Sequence, residues 1–111
     1  MSIVLVGGMD RLGEKYQKEA KDLGMELSIF NRAKQCMEAK IKHADVVVIF
    51  TNKISHQARH DAFTAAKRQG IPVVMHHACG VCTLRECLKC IHLAHHNANE
   101  ILTNKSKEAQ N

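Results

Sequence analysis

Large aromatic side chains are nearly absent from this sequence. Tryptophan does not occur, and the 111 residues include only one Tyr and three Phe. Single-stranded nucleic acids are usually bound by aromatic side chains on which the bases stack. The 16 Lys and Arg residues give a formal net charge of +5, but they are dispersed along the chain. We therefore expect no nucleic-acid partner.

Long apolar runs are also lacking. The first residues, MSIVLVGG, offer only a short apolar run with no basic n-region, and no later run is long enough to cross a bilayer. We therefore expect no membrane partner. The five cysteines are an odd number, and four of them lie close together instead of spanning the chain as a disulfide framework would. This usage predicts a reducing, cytoplasmic location and thiols that serve metal or redox chemistry.

Alternating strand and helix patterns predict an α/β fold. The strands are predicted at Ser2–Val6, Met25–Phe30, Asp45–Phe50 and Ile71–Met75. Helices are predicted at Arg11–Leu23 and Ala33–His43, then from a Ser55 cap to Gln69 and from a Thr83 cap to Asn97. Right-handed crossovers then give one flavodoxin-like, four-stranded parallel sheet in the order 2-1-3-4 with helices on both faces. The domain is predicted to span residues 1–97, with a polar tail at 98–111.

Ligands of such sheets bind beyond the carboxyl ends of the strands, where helix N-termini present unpaired amides. The residues predicted to bind a small ligand at that edge are Gly7, Gly8, Met9, Asp10, Arg11, Asn31, Thr51, Asn52, Ser55 and His56. The Gly7-Gly8 pair lacks the third glycine of a dinucleotide fingerprint, so a plain strand-to-helix turn is an equal alternative. For Asp10 we favour a role as the cap of the first helix.

A second group of residues at the same edge predicts a metal centre. The pair His76-His77 is followed by Cys79-Gly-Val-Cys82, and imidazole with thiolate suits zinc, iron or copper. The predicted metal ligands are His56, His76, His77, Cys79 and Cys82. Two alternatives stay open, namely two half-buried thiols in a turn and a His56 ring that only contacts nearby backbone.

The pair Cys87-Leu-Lys-Cys90 does not extend this centre. On a helix Cys90 would lie roughly 12 Å along from Cys82, too far for one tetrahedral ion. Cys87 falls on the apolar stripe of the last predicted helix, so we expect it in the core.

Three motifs in order along the chain carry a family resemblance. They are VLVGGMDR at Val4–Arg11, ADVVVI at Ala44–Ile49 and ISHQA at Ile54–Ala58. Over roughly Ile3 to Leu88 the chain resembles a bacterial family called domain of unknown function 2325. The resemblance implies a small Rossmann-like domain without established enzyme activity. Some members of the family are associated with haem binding, so the resemblance also implies haem as a ligand. Where relatives carry a serine-rich turn after the fourth strand, this chain has the His76–Cys82 segment, which favours a metal centre over a shared phosphate-like ligand.

Three functions are therefore consistent with the sequence. The first is a binding or sensor module for haem or a transition metal, iron or zinc, in which Arg11 and helix N-termini hold the haem propionates. Because a porphyrin is large for so small a sheet, this hypothesis includes a homodimer. The second is a thiol–disulfide redox protein that uses Cys79 and Cys82. The third is a regulatory module for a small anionic or nucleotide ligand. No residue is predicted to be catalytic, and a role other than catalysis is favoured.

Overall fold

Four parallel strands form the sheet in the computed structural model, which describes residues 1–30, 37–78 and 80–101. The strands are β1 (Ser2–Val6), β2 (Glu26–Phe30), β3 (Val46–Phe50) and β4 (Val73–His76). They lie in the order β2-β1-β3-β4, which confirms the predicted topology. Strand β3 is buried along its whole length because strands flank it on both sides and helices cover both of its faces. Strand β4 is at the edge of the sheet.

Four helices connect and follow the strands. They are α1 (Gly13–Asp22), α2 (Met37–Lys42), α3 (His56–Arg68) and α4 (Val81–Ile101), with short 3-10 turns at Asp10–Leu12 and Thr51–Lys53. Part of the second predicted helix lies outside the described residues. Helix α4 continues to Ile101, four residues beyond the predicted end at Asn97. None of the helices in the described residues is both long and apolar enough to span a membrane.

Two predicted helix caps are wrong. The Leu84 amide donates to the Gly80 carbonyl at 3.1 Å, so the helical ladder of α4 starts before Thr83, which lies in the first turn. At the other site the chain forms a 3-10 turn before α1, so the residue at the N-cap position of α1 is Leu12 and not Asp10. In both places the helix starts at the first residue whose backbone joins the helical hydrogen bonds. One residue with capping preference does not determine that position.

Apolar side chains of the sheet alternate between two cores, as the two-residue period of a strand requires. One core lies under α1 and α4 and includes Ile3, Leu5, Val48, Phe50, Tyr16, Leu84 and Leu88. The other lies under α2 and α3 and includes Val4, Val6, Val47, Ile49, Ile41, Ala62 and Ala66. The side of α3 that faces this core is formed by alanines, including Ala62, Ala65 and Ala66.

An ion pair links α4 to α1, beside the core that Leu84, Leu88 and Tyr16 share. The guanidinium of Arg85 donates to both carboxylate oxygens of Glu19, at 2.8 and 3.1 Å. The hydrogen bond from Arg85 lowers the pKa of the Glu19 carboxyl. One flank of α4 thus packs against α1, and the opposite flank of α4 borders β4.

Candidate functional site

The ends of β3 and β4 meet at the carboxyl edge of the sheet, as the parallel topology requires. The Thr51 hydroxyl, just after β3, donates to the His76 carbonyl at 3.5 Å. The same hydroxyl lies 3.5 Å from Nδ1 of His77. The structure therefore brings together three of the residues predicted for this edge.

An apolar groove runs between edge strand β4 and the flank of α4. Its volume is about 720 Å³, within the range of small-molecule pockets. Val74 and His76 of β4 form one wall, and the residues of α4 that line it are Cys82, Thr83, Glu86, Cys87, Cys90, Ile91 and Ala94. The groove exists because α4 packs against α1 and the middle of the sheet, while no described element covers this face of β4.

The thiols of the groove differ in accessibility. Cys87 is only 5% exposed and belongs to the core, as its place on the apolar stripe predicts. Burial, with a smaller contribution from neighbouring Cys90, raises the pKa of the Cys87 thiol to about 11, so it stays protonated and unreactive at neutral pH. Cys82 and Cys90 are exposed free thiols. Cys82 is therefore the accessible thiol near the carboxyl edge and His76.

The predicted metal ligands do not all lie together. His56 is the first residue of α3 and lines a second pocket of about 440 Å³ with Arg59, His60, Phe63 and Met75. Alternate residues of a strand face opposite sides, so Met75 faces this pocket whereas His76 faces the groove. Strand β4 thus separates His56 from His76 and Cys82.

A ready-made metal-ion site is not found in residues 1–30, 37–78 and 80–101, where no three His, Cys, Asp or Glu side chains are grouped to hold an ion. Cys79 lies outside these residues, so the geometry of the Cys79/Cys82 pair predicted for redox chemistry is not described. The exposed His77 is near Thr51 but does not line the groove.

Two backbone amides of the glycine turn after β1 already have hydrogen-bond acceptors within the protein. Gly7 and Gly8 have positive φ values of 97° and 93°. The Gly7 amide donates to the Phe30 carbonyl at 2.7 Å, and the Met9 amide donates to the Tyr16 hydroxyl at 3.2 Å. A Cβ on Gly8 would lie 3.0 Å from the Tyr16 ring. The turn therefore packs on Tyr16, and these two amides are not free for a phosphate.

Tyr16 is the residue that the sequence interpretation undervalued. It is fully buried and its ring meets Phe50 edge-on, with centroids 6.1 Å apart. The sequence does contain a signal for this contact, because Tyr16 lies on the inward stripe of the first predicted helix. A buried tyrosine hydroxyl needs a hydrogen-bond partner, and a nearby turn can supply one.

The other predicted ligand residues that the structure describes line neither the groove nor the second pocket. Asp10, Arg11 and Asn52 are exposed, and Asn31 lies outside the described residues. Ser55 caps α3 as predicted, since its hydroxyl accepts a hydrogen bond from the Ala58 amide at 3.1 Å. Its role in the structure is therefore that of a helix cap.

Comparison with known proteins identifies the family. The model of a bacterial family described as "uncharacterized protein conserved in bacteria (DUF2325)" matches residues 2–91. The chain belongs to this family. The matched region contains all four strands and α4 as far as Ile91, so every residue that lines the groove except Ala94 falls within the family match. No curated protein and no solved structure matches the chain.

Proposed function

We propose that this DUF2325 domain is a binding or sensor module that holds haem, or a related planar tetrapyrrole, in the groove between β4 and α4. The observation that carries the proposal is an apolar groove of about 720 Å³ that has an imidazole, His76, and an accessible thiol, Cys82, in its walls. Haem proteins bind the macrocycle through apolar contacts and supply His or Cys as axial ligands of the iron.

Haem suits this donor set better than a bare ion. A structural zinc site needs four protein ligands, and no group of even three is assembled within the described ranges. The porphyrin supplies four nitrogens to its iron, so one or two protein donors suffice. His76, Cys82 and Cys90 line the groove and are not buried in the core. We take His76 and Cys82 as the two candidates, because the sequence also predicts both as metal ligands at the carboxyl edge of the sheet.

The ends of the groove differ in polarity. Cys82 and Thr83 lie in the first turn of α4, where backbone amides and the helix dipole favour anions such as propionates. Ile91 and Ala94 line the part of the groove further along α4. Arg11 does not line it, so the propionate role expected for Arg11 is not part of this proposal.

Haem titration monitored by the Soret band tests the proposal. We expect saturable binding with a shifted Soret band, and weaker binding by Ala94→Trp, which fills the groove without changing a ligand. His76→Ala and Cys82→Ser separate the two ligand candidates, because imidazole and thiolate give different spectra in the ferrous carbonyl complex. His60→Ala, in the pocket on the other face of β4, is the matched control and should behave as wild type. The absence of saturable binding, or equal binding by all variants, would refute the proposal.

A further inference from the structure

The outer edge of β4 carries unpaired backbone groups. The Val47 amide donates to the Pro72 carbonyl at 3.0 Å, and Val47 is in register with Val73. In a parallel ladder alternate residues point to the same neighbour, so Val74 and His76 bond to β3, whereas Val73 and Met75 direct N–H and C=O away from it. Within the described part of the chain these outward groups have no hydrogen-bond partner.

The opposite edge of the sheet is treated differently. On β2 the outward Leu27 carbonyl accepts a hydrogen bond from the Gln17 side chain at 2.8 Å, so a side chain of α1 already covers part of that edge. Natural proteins commonly protect free edges by such coverage or by charged residues. Strand β4 is short and follows Pro72, but its residues Val73, Val74, Met75 and His76 include no Lys, Arg, Asp or Glu, and no side chain among the described residues bonds to its outward groups.

Apolar surface flanks the β4 edge on both faces of the sheet. On the α3 side Met75 is 41% exposed and Phe63 is 39% exposed, and they line the same pocket. On the α4 side Val74 forms the wall of the apolar groove. A folded partner that adds its own sheet to this edge would cover the apolar surfaces on both faces. A lone extended peptide would cover little more than the strand.

We infer that a second copy of this chain is that partner, and that two β4 strands pair antiparallel about a two-fold axis to form one eight-stranded sheet. Each copy offers the same short strand and the same apolar flanks, as a self-complementary interface requires. Antiparallel pairing is also slightly more stable per residue than parallel pairing. In a register with Val73 opposite the partner's Met75, the outward N–H and C=O groups of Val73 and Met75 would all form hydrogen bonds with the partner strand. Pairing of β4 with β2 would instead give an open chain of subunits, which the covered β2 edge disfavours.

This dimer does not depend on the haem proposal, because its contacts come from the protein alone. It adds to that proposal one geometric consequence. An axis perpendicular to the sheet keeps both α4 helices on the same face, so the two grooves would adjoin across the paired strands.

The test is the mass of the ligand-free chain by sedimentation or light scattering. We expect twice the 12.4 kDa chain mass. Met75→Lys, which sets two positive charges at diagonal positions on one face of the paired strands, roughly 7–8 Å apart, should halve the measured mass. The matched control is Leu93→Lys, which replaces a leucine that is 58% exposed and does not line the groove. It should remain dimeric. A monomeric wild type, a dimeric Met75→Lys variant or a monomeric Leu93→Lys variant would each overturn the inference.

Amide hydrogen exchange of the wild type gives a result that does not depend on a variant folding. The outward amides of Val73 and Met75 should be protected at high protein concentration and lose this protection on dilution. The Val74 amide, which bonds to β3, should not change in parallel with them. Fast exchange of Val73 and Met75 at every concentration would also overturn the inference.

Discussion

The contact between Gly8 and Tyr16 leads to a sharp prediction for the turn after β1. Gly8→Ala places a methyl group 3.0 Å from the Tyr16 ring and 3.1 Å from its hydroxyl. It also requires alanine to adopt a φ of +93°. A strained backbone of this kind costs about 1–3 kcal/mol, and overpacking against a buried ring costs about 1–3 kcal/mol more. We therefore expect Gly8→Ala to lower the free energy of unfolding by about 2–6 kcal/mol.

A second glycine separates the two contributions. Gly24 also has a positive φ, +71°, but a Cβ there would meet nothing within 4 Å. Gly24→Ala should therefore show only the backbone cost, about 1–2 kcal/mol. The difference between the two variants then measures the steric contact with Tyr16.

Urea denaturation followed by circular dichroism measures both variants. In a separate thermal melt, the lower end of the range expected for Gly8→Ala, about 2 kcal/mol, corresponds to a fall in melting temperature of roughly 8 °C. The predicted contact is refuted if Gly8→Ala stays within about 0.5 kcal/mol of wild type, the usual range for neutral surface changes. It is also refuted if Gly24→Ala costs as much as Gly8→Ala, because the contact with Tyr16 would then contribute nothing.

Two further predictions concern the helices. Ser55→Ala removes the acceptor for the Ala58 amide and should destabilise the protein by about 1 kcal/mol in urea denaturation; Ser55→Asp, which keeps an acceptor, should restore most of the loss, and equal stability of the two variants would contradict the cap. Because burial raises the pKa of the Cys87 thiol from its ordinary 9.0 to about 11, the unfolded chain releases this proton first and stability should fall as the pH rises through that window. Cys87→Ala should flatten this part of the pH profile of the urea midpoint, and an unchanged slope would show that the thiol is not responsible.

Most of the architecture could be predicted because it depends on periodicity. The apolar run of β3 and the alanine stripe of α3 each indicate one kind of element, and right-handed crossovers leave few ways to order four parallel strands. The helix starts were less predictable. The Gly80 carbonyl already accepts a hydrogen bond from the Leu84 amide, so α4 begins before Thr83, and a 3-10 turn displaces the start of α1 from Asp10.

The candidate site could be predicted only in part. The topology predicts that the ends of β3 and β4 meet, and Thr51 does contact His76 and His77. The groove could not be predicted, because it depends on how far α4 shifts toward α1 over the sheet.

The sequence by itself determined the strands, the order of the sheet, the cap at Ser55 and the burial of Cys87, because each of these follows from local spacing and chain connectivity. The tertiary structure decided which chemical groups share a surface. Packing of Leu84 and Leu88 in the core that includes Tyr16, together with the Arg85–Glu19 ion pair, places one flank of α4 against α1 and leaves the other open. The side-chain alternation of β4 then assigns His76 to the groove and Met75, with His56, to the opposite face. These outcomes depend on packing between segments distant in the chain, which no local pattern of residues specifies.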